Sequence, residues 1–327
     1  MLKDLLRRQG RWWRPWLLVA GAAFGAATGV KWNGVFFLAA FGVFVLVVDV
    51  VRRGRRGETR GWWAALWRHG LLDFVQLVPI SALVYTATWT GWFATSGGLD
   101  RQWAETPGNA WGGALGWVPR TLQSWLHLQV AMVADDAAFD RHLGQESAPI
   151  TWLFWLHPSH SWNLQLNPGS PQTCGASACG LLVVDLPNPL LWICALVAVL
   201  VLLVTLWRRR SWAEGAVLLA IGAGYVPWLL VTRTTFSQYV LAFLPFMYLA
   251  LVLVLRRIAQ RRESPGWRRG SRLWTAGFVL LATLVSAWFL PVWIAIWIPV
   301  VWMRSLIWLP DWRATTYLYW NTEGLNS

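Results

Sequence analysis

The sequence predicts an all-α, multi-pass membrane protein. Three observations carry that expectation. The 327 residues are 56% hydrophobic and their mean hydropathy is +0.43, too apolar for a soluble domain of this size. Apolar runs near the length of a spanning helix recur along the chain. The cations cluster beside those runs. Of 28 Lys and Arg, five fall in residues 1–15, six in 52–70, three in 208–210 and seven in 256–272. That is the pattern of cytoplasmic loops, and it accounts for the net charge of +13 without nucleic acid. No aromatic-interleaved basic groove or nucleic-acid motif is present. The 29 tryptophans fit residence where lipid meets water.

The elements follow in order. Residues 17–30 and 34–51 are short runs and read as a tight helical hairpin, or as tilted helices, turning at Lys31. A third span is expected at 71–92, and four more at 186–207, 213–231, 238–255 and 273–302. About seven spans place all four basic clusters on the cytoplasmic side. The N-terminus is then cytoplasmic and the C-terminus lies outside, in a cell membrane. The expected divisions are 1–92 for the first three spans, 93–185 for a large extracytoplasmic loop, 186–302 for the remaining spans and 303–327 for an outer tail. The loop carries seven acidic residues against three arginines, the opposite bias to the basic clusters. Within it, residues 117–132 read as an amphipathic helix at the membrane surface.

The residues that stand apart from the cytoplasmic clusters are the candidates for function. Lys31, Arg101, Arg120, Arg141, Arg233, Arg304 and Arg313 all fall at or beyond the outer face. Lys31 reads either as a snorkelling helix anchor or, with Arg233, as a counter-charge to a lipid phosphate. The loop histidines include His157 and His160 in "HPSH", with Asp135, Asp136 and Asp140 elsewhere in the loop. No HExxH or comparable ligand spacing marks a metal site. Cys174 and Cys179 share the polar loop "CGASAC". A disulfide is expected if that loop faces an oxidising compartment, and two free thiols are the alternative.

Several stretches together resemble protein O-mannosyltransferases of the actinobacterial type. They are "RPWLLVAGAAFGAATGVKWNGVFFLAAFG" (14–42), "TWTGWFATSGGLDRQWAE" (88–105), "CGASACGLLVVDLPNPLLW" (174–192), "YVPWLLVTRTTFSQYVLAFLPF" (225–246), and "FLPVW" with "WLPDW" (289–293, 308–312). The resemblance implies a GT-C fold and glycosyltransferase activity. Mannose would pass from polyprenyl-phosphate-mannose to Ser or Thr of secreted proteins, with inversion and with no cofactor beyond the lipid-linked donor. It implies a phosphate-binding role for Lys31, with Arg233 as a second candidate, supported by Trp32, Phe236 and Tyr239. Arg101, His157 and His160 are outer-loop candidates. The family's catalytic Asp–Glu loop has no counterpart here, so the chain reads as a C-terminal portion of such an enzyme and no catalytic residue is named. It would then work with a separate N-terminal catalytic portion or the translocon. A non-catalytic partner subunit or lipid-binding membrane protein, a GT-C transferase acting on a lipid or polysaccharide, and a transporter are the alternatives. No inverted repeat supports the transporter.

Overall fold

The computed structural model describes residues 14–55, 67, 70–140, 146–168, 174–209, 211–260 and 265–306. Residues 307–327, and with them Arg313, lie outside the described residues, as does Arg141. The chain forms two compact units that divide between Asp140 and Arg141, inside the segment expected to be a single outer loop.

The first unit is built on α1 (Pro15–Val30), α2 (Asn33–Gly54) and α3 (Leu71–Thr88). An apolar run in lipid must close its own backbone hydrogen bonds, which is why these runs are helical. Pro15 begins α1, where its missing N–H costs nothing. The close contact is between α1 and α3, and glycine makes it possible. A Cβ at Gly21 would stand 2.6 Å from Leu77 O, and one at Gly25 2.3 Å from Ser81 O. One turn on, a Cβ at Gly29 would meet the Thr88 side chain at 2.7 Å. The stripe lets the two backbones touch, which is how helices associate without a hydrophobic drive between them. At the other end of the bundle, Arg14 donates to Asp49 Oδ2 (2.6 Å) and Asp73 Oδ2 (3.1 Å), and its N–H donates to Gln76 Oε1 (2.8 Å). After α3 come α4 (Thr90–Ala94), two single 3-10 turns and α5 (Arg120–Ala137). A helix is thus present near the 117–132 segment: α5, shifted toward the C-terminus.

The second unit opens with α6 (Pro149–Trp152) and an antiparallel pair, β1 (His160–Pro168) with β2 (Ala178–Val184). A short β3 (Ile298–Pro299) pairs with the other edge of β2. This small sheet is the departure from an all-helical reading; the membrane part remains helical. The helices are α7 (Pro189–Arg209), α8 (Trp212–Tyr225), α9 (Leu244–Gln260), α10 (Pro265–Trp293) and α11 (Val300–Leu306). Asn188 starts α7: its Oδ1 accepts from Leu191 N (3.1 Å), while its Nδ2 donates to Ala282 O and Ser286 Oγ on α10, each 2.9 Å. The core gathers Trp152, Leu182, Phe243, Met247, Val292 and Met303 between the sheet and the helix ends. A second cluster, Ala198, Leu202, Val217, Ala250 and Leu251, joins α7, α8 and α9. Glu214 on α8 is ion-paired with Arg257 on α9.

Among the described residues, five helical segments are long and apolar enough to cross a membrane: Asn33–Arg52, Leu71–Thr88, Pro189–Arg209, Trp212–Leu230 and Arg269–Trp293. The seven apolar runs each hold a helix, but α1 (16 residues) and α9 (17 residues) are shorter than a full crossing. Lys31 is extended (φ −157°, ψ 140°) and stops α1. The start of α9 is delayed because residues 231–243 are spent on an extended stretch and the 3-10 turn Ser237–Ala242.

Candidate functional site

In the first unit, candidate residues gather around the turn "KWNG". Thr28 Oγ1 donates to Phe24 O (2.7 Å), Lys31 N to Ala27 O (3.0 Å), and Gly34 N to Lys31 O (3.0 Å). A Cβ at Gly34 would lie 2.4 Å from Thr28 N, so the turn can close this tightly only with glycine there. The geometry leaves Lys31 exposed on the turn and Asn33 buried beneath it. Trp32 Nε1 donates to Tyr85 OH (3.2 Å), and Tyr85 OH donates in turn to Gln129 Oε1. The turn is therefore hydrogen-bonded to α3, and α3 to α5.

Tyr85 also belongs to an aromatic cluster. Its ring centroid is 6.1 Å from Trp125 and 6.3 Å from Trp89, and Phe93 is 5.8 Å from Trp125. The Tyr85–Trp89 pair is edge-to-face and the other two are tilted; an edge-to-face pair adds about 0.5–1.5 kcal/mol beyond its burial. Arg101 caps the cluster with its guanidinium 5.0 Å from the Trp92 centroid, and donates to Thr121 Oγ1 (3.2 Å) and Phe93 O (3.4 Å). These contacts make Arg101 a brace for the outer loop. Nearby, Trp103 and His127 stack at 3.9 Å. Asp135, Asp136 and Asp140 are exposed at or beyond the end of α5.

In the second unit, Arg233 lies on a platform of rings. Its guanidinium carbon is 5.3 Å from the Trp228 centroid and 5.8 Å from that of Tyr239. Trp228 and Tyr239 are 4.5 Å apart, Trp152 stands behind both, and Phe236 meets Tyr239 edge-on at 6.0 Å. Arg233, Phe236 and Tyr239 are thus brought together, as their spacing in the sequence allows. The segment carrying them is tied down twice. Thr235 Oγ1 donates to Ser147 O (2.7 Å), and Ser147 N donates back to Thr235 O (2.9 Å). Ser237 Oγ donates to Asp185 Oδ2 (2.6 Å), accepts from Ser159 N (2.8 Å) and lies 3.0 Å from Ser159 Oγ. Asp185 Oδ1 is enclosed and has no hydrogen-bond partner among the described residues. Burial pushes the Asp185 carboxyl up to about 7, and the Ser237 hydrogen bond opposes that only in part.

His157 is half-buried, and the His160 side chain lies outside the described residues. Among the described residues no group of three or more His, Cys, Asp or Glu is placed to hold a metal ion. Cys174 and Cys179 form a disulfide, with Cα atoms 5.9 Å apart, at the hairpin between β1 and β2. Sequence reasoning passed over the Asp185–Ser237–Ser159 group, the Tyr85–Gln129 link and the Arg14 pairs.

No profile of a known protein family matches the chain. Individual proteins do. The chain resembles polyprenol-phosphate-mannose–protein mannosyltransferases along nearly all its length. It is 32% identical over 315 residues to the one from Mycolicibacterium smegmatis, covering 93% of this chain and 58% of that protein. Against that of Mycobacterium tuberculosis it is 30% identical over 325 residues, with the same two shares. For that of Corynebacterium glutamicum the identity is 28% over 323 residues, 95% of this chain and 60% of the relative. The chain thus spans a little under three-fifths of the length of the first two relatives. Its apolar helices mark it as a membrane protein, and over nearly all its length it is similar to these mannosyltransferases.

Proposed function

We propose that this chain takes part in protein O-mannosylation at the outer face of the cell membrane. Mannose would leave a polyprenyl phosphate and join a Ser or Thr hydroxyl of a secreted protein, with no cofactor beyond the lipid-linked donor. The bond from the sugar's anomeric carbon to the phosphate oxygen breaks, and a bond to the acceptor oxygen forms. The acceptor proton goes to a general base not assigned to any residue of this chain. The observation that carries the reading is the similarity to named mannosyltransferases over 93% of the chain. Two features support it. Lys31 is exposed on a turn between apolar helices, and Arg233 is oriented by two rings in a segment held at two points. A fixed guanidinium loses little freedom when it meets a phosphate, and positive charge there stabilises the departing anion.

Deleting the gene in its own organism, and comparing secreted proteins by mass spectrometry, tests the reading. Mannose on Ser and Thr should fall and return on complementation; an unchanged glycan pattern overturns it. The proposed orientation, with the N-terminus in the cytoplasm and seven crossings of which α1 and α9 are the short ones, has its own test. Ala110→Cys, in a background lacking Cys194, should react with an impermeant maleimide on intact cells. Labelling only after permeabilisation overturns that topology.

A further inference from the structure

A groove of about 550 Å³ runs between the C-terminal part of α9 and the N-terminal half of α10. Leu255 and Ile258 form one wall, and Trp267, Gly270, Trp274 and Phe278 the other. Its few polar groups bond within the protein. Trp267 Nε1 donates to Ile258 O (3.2 Å), and Thr275 Oγ1 donates to Ser271 O (2.8 Å). The walls therefore suit an apolar occupant, in a volume typical of ligand pockets.

The glycines show that no described residue fills this space. In α1, a Cβ at each glycine of the stripe would collide with α3. In α10, a Cβ at Gly266 or Gly270 would meet nothing within 4 Å. Glycine inside a helix is unfavourable relative to alanine; in α1 close packing offsets that cost, and in α10 no described neighbour does. From Gly266 to Phe278 the groove follows α10 for about 18 Å at 1.5 Å per residue, close to the depth of one leaflet of a ~30 Å hydrocarbon core.

The sequence around it is predominantly basic. Residues 256–272 contain seven arginines and one glutamate. Arg257 is paired with Glu214, whereas Arg256, Arg269 and Arg272 are exposed. Arg256 follows lining residue Leu255 directly. Arg269 and Arg272 lie toward the far side of α10, within a helix diameter of about 10–12 Å. That exceeds the screening length of about 8 Å at physiological salt, so their field is weakened at the groove mouth and Arg256, beside the lining, contributes most there.

We propose that this groove binds an anionic glycerophospholipid, with an acyl chain between α9 and α10 and its phosphate at the arginine-rich end. The proposal is independent of the mannosyltransferase reading. Native mass spectrometry of the purified full chain tests it, with dioleoyl-phosphatidylglycerol and dioleoyl-phosphatidylcholine offered at equal concentration. Wild type should retain phosphatidylglycerol about fivefold better, the equivalent of the ~1 kcal/mol that one basic residue near a surface contributes. Gly270→Leu, which fills the groove, should reduce retention of both lipids. If that variant does not fold, Thr275→Leu fills the same groove one turn on. Combining Arg256→Gln, Arg269→Gln and Arg272→Gln should keep retention but abolish the preference. Equal retention by wild type overturns the proposal, as does undiminished retention by the filled variant. Displacement of phosphatidylglycerol by lower concentrations of polyprenyl phosphate would assign the groove to an isoprenoid chain instead and equally overturn it. So would a dimer that Gly270→Leu dissociates without changing lipid retention.

Discussion

Ser237 Oγ donates a 2.6 Å hydrogen bond to Asp185 Oδ2. The pair joins the end of β2 to the segment that presents Arg233, four residues before Ser237. The carboxyl titrates at about 7 in the folded protein and at 3.8 as an ordinary aspartate. Between those values the folded state holds the proton more tightly than the unfolded state does. Stability from this group is therefore fully present below pH ~4 and falls as pH rises through ~7, by at most about 1.4 kcal/mol per pH unit. Melting in detergent should show wild type losing stability from pH 5 to pH 8, with Asp185→Asn flattening that decline. Parallel profiles for the two proteins would contradict the assignment.

The glycines of α1 and α8 make opposite predictions from the same substitution. A Cβ at Gly25 would meet Ser81 O at 2.3 Å and Val84 Cβ at 2.9 Å, whereas Gly222 has nothing within 4 Å. Gly25→Ala should force α1 from α3 and destabilise the first unit by about 1–3 kcal/mol. Gly222→Ala should be neutral or stabilise by up to ~1 kcal/mol through helix propensity. Equal melting temperatures for the two variants would show that backbone contact at Gly25 is not what holds these helices.

Arg14 holds two largely buried carboxylates, Asp49 and Asp73, together. Arg14→Met should cost roughly 3–5 kcal/mol, because it leaves both acids without this guanidinium. Adding Asp49→Asn and Asp73→Asn to Arg14→Met should restore most of the loss, since the buried negative charge goes with them. A triple variant as unstable as the single one would mean that Arg14 acts through packing alone.

The membrane architecture was legible because lipid leaves an apolar run little choice but helix. Helix lengths were less so. The run at 238–255 looked like a span, yet Ser237–Ala242 forms a 3-10 turn anchored by Ser237, and α9 begins only at Leu244. The hairpin left a trace: Trp162, Leu164 and Leu166 alternate with Asn163, Gln165 and Asn167, the period of a strand. Asp49 and Asp73 were visible as isolated acids in apolar runs, a signal that calls for a partner. That the partner is Arg14, counted among the cytoplasmic cations, could not be read from spacing. The Tyr85–Gln129 hydrogen bond joins residues 44 apart with no motif between them. The single candidates Lys31 and Arg233 stood out because charge there is scarce, whereas the rings that orient Arg233 were hidden among many aromatics.

Lys31 and Arg233 give the most direct test of the proposed chemistry. Neither side chain holds the surrounding backbone in place: Lys31 is carried by the Thr28–Gly34 turn, and the segment bearing Arg233 is held by Thr235 and Ser237. Removing either charge should therefore leave the fold intact. A charged hydrogen bond to phosphate contributes about 1.5–3 kcal/mol, or roughly ten- to hundredfold in affinity. Lys31→Ala and Arg233→Ala should each weaken binding of a polyprenyl phosphate by that order, measured on protein in native membranes. Lys31→Ala separates the two readings of the lysine, with Lys31→Arg as the control that keeps the charge. A snorkelling anchor tolerates arginine and loses little with alanine, whereas a phosphate contact tolerates arginine and fails with alanine. Arg233→Lys should recover less than Lys31→Arg does, because lysine keeps the charge but not the flat guanidinium that rests on the two rings. Unchanged binding in both alanine variants would leave Lys31 as an anchor and Arg233 as a packing residue.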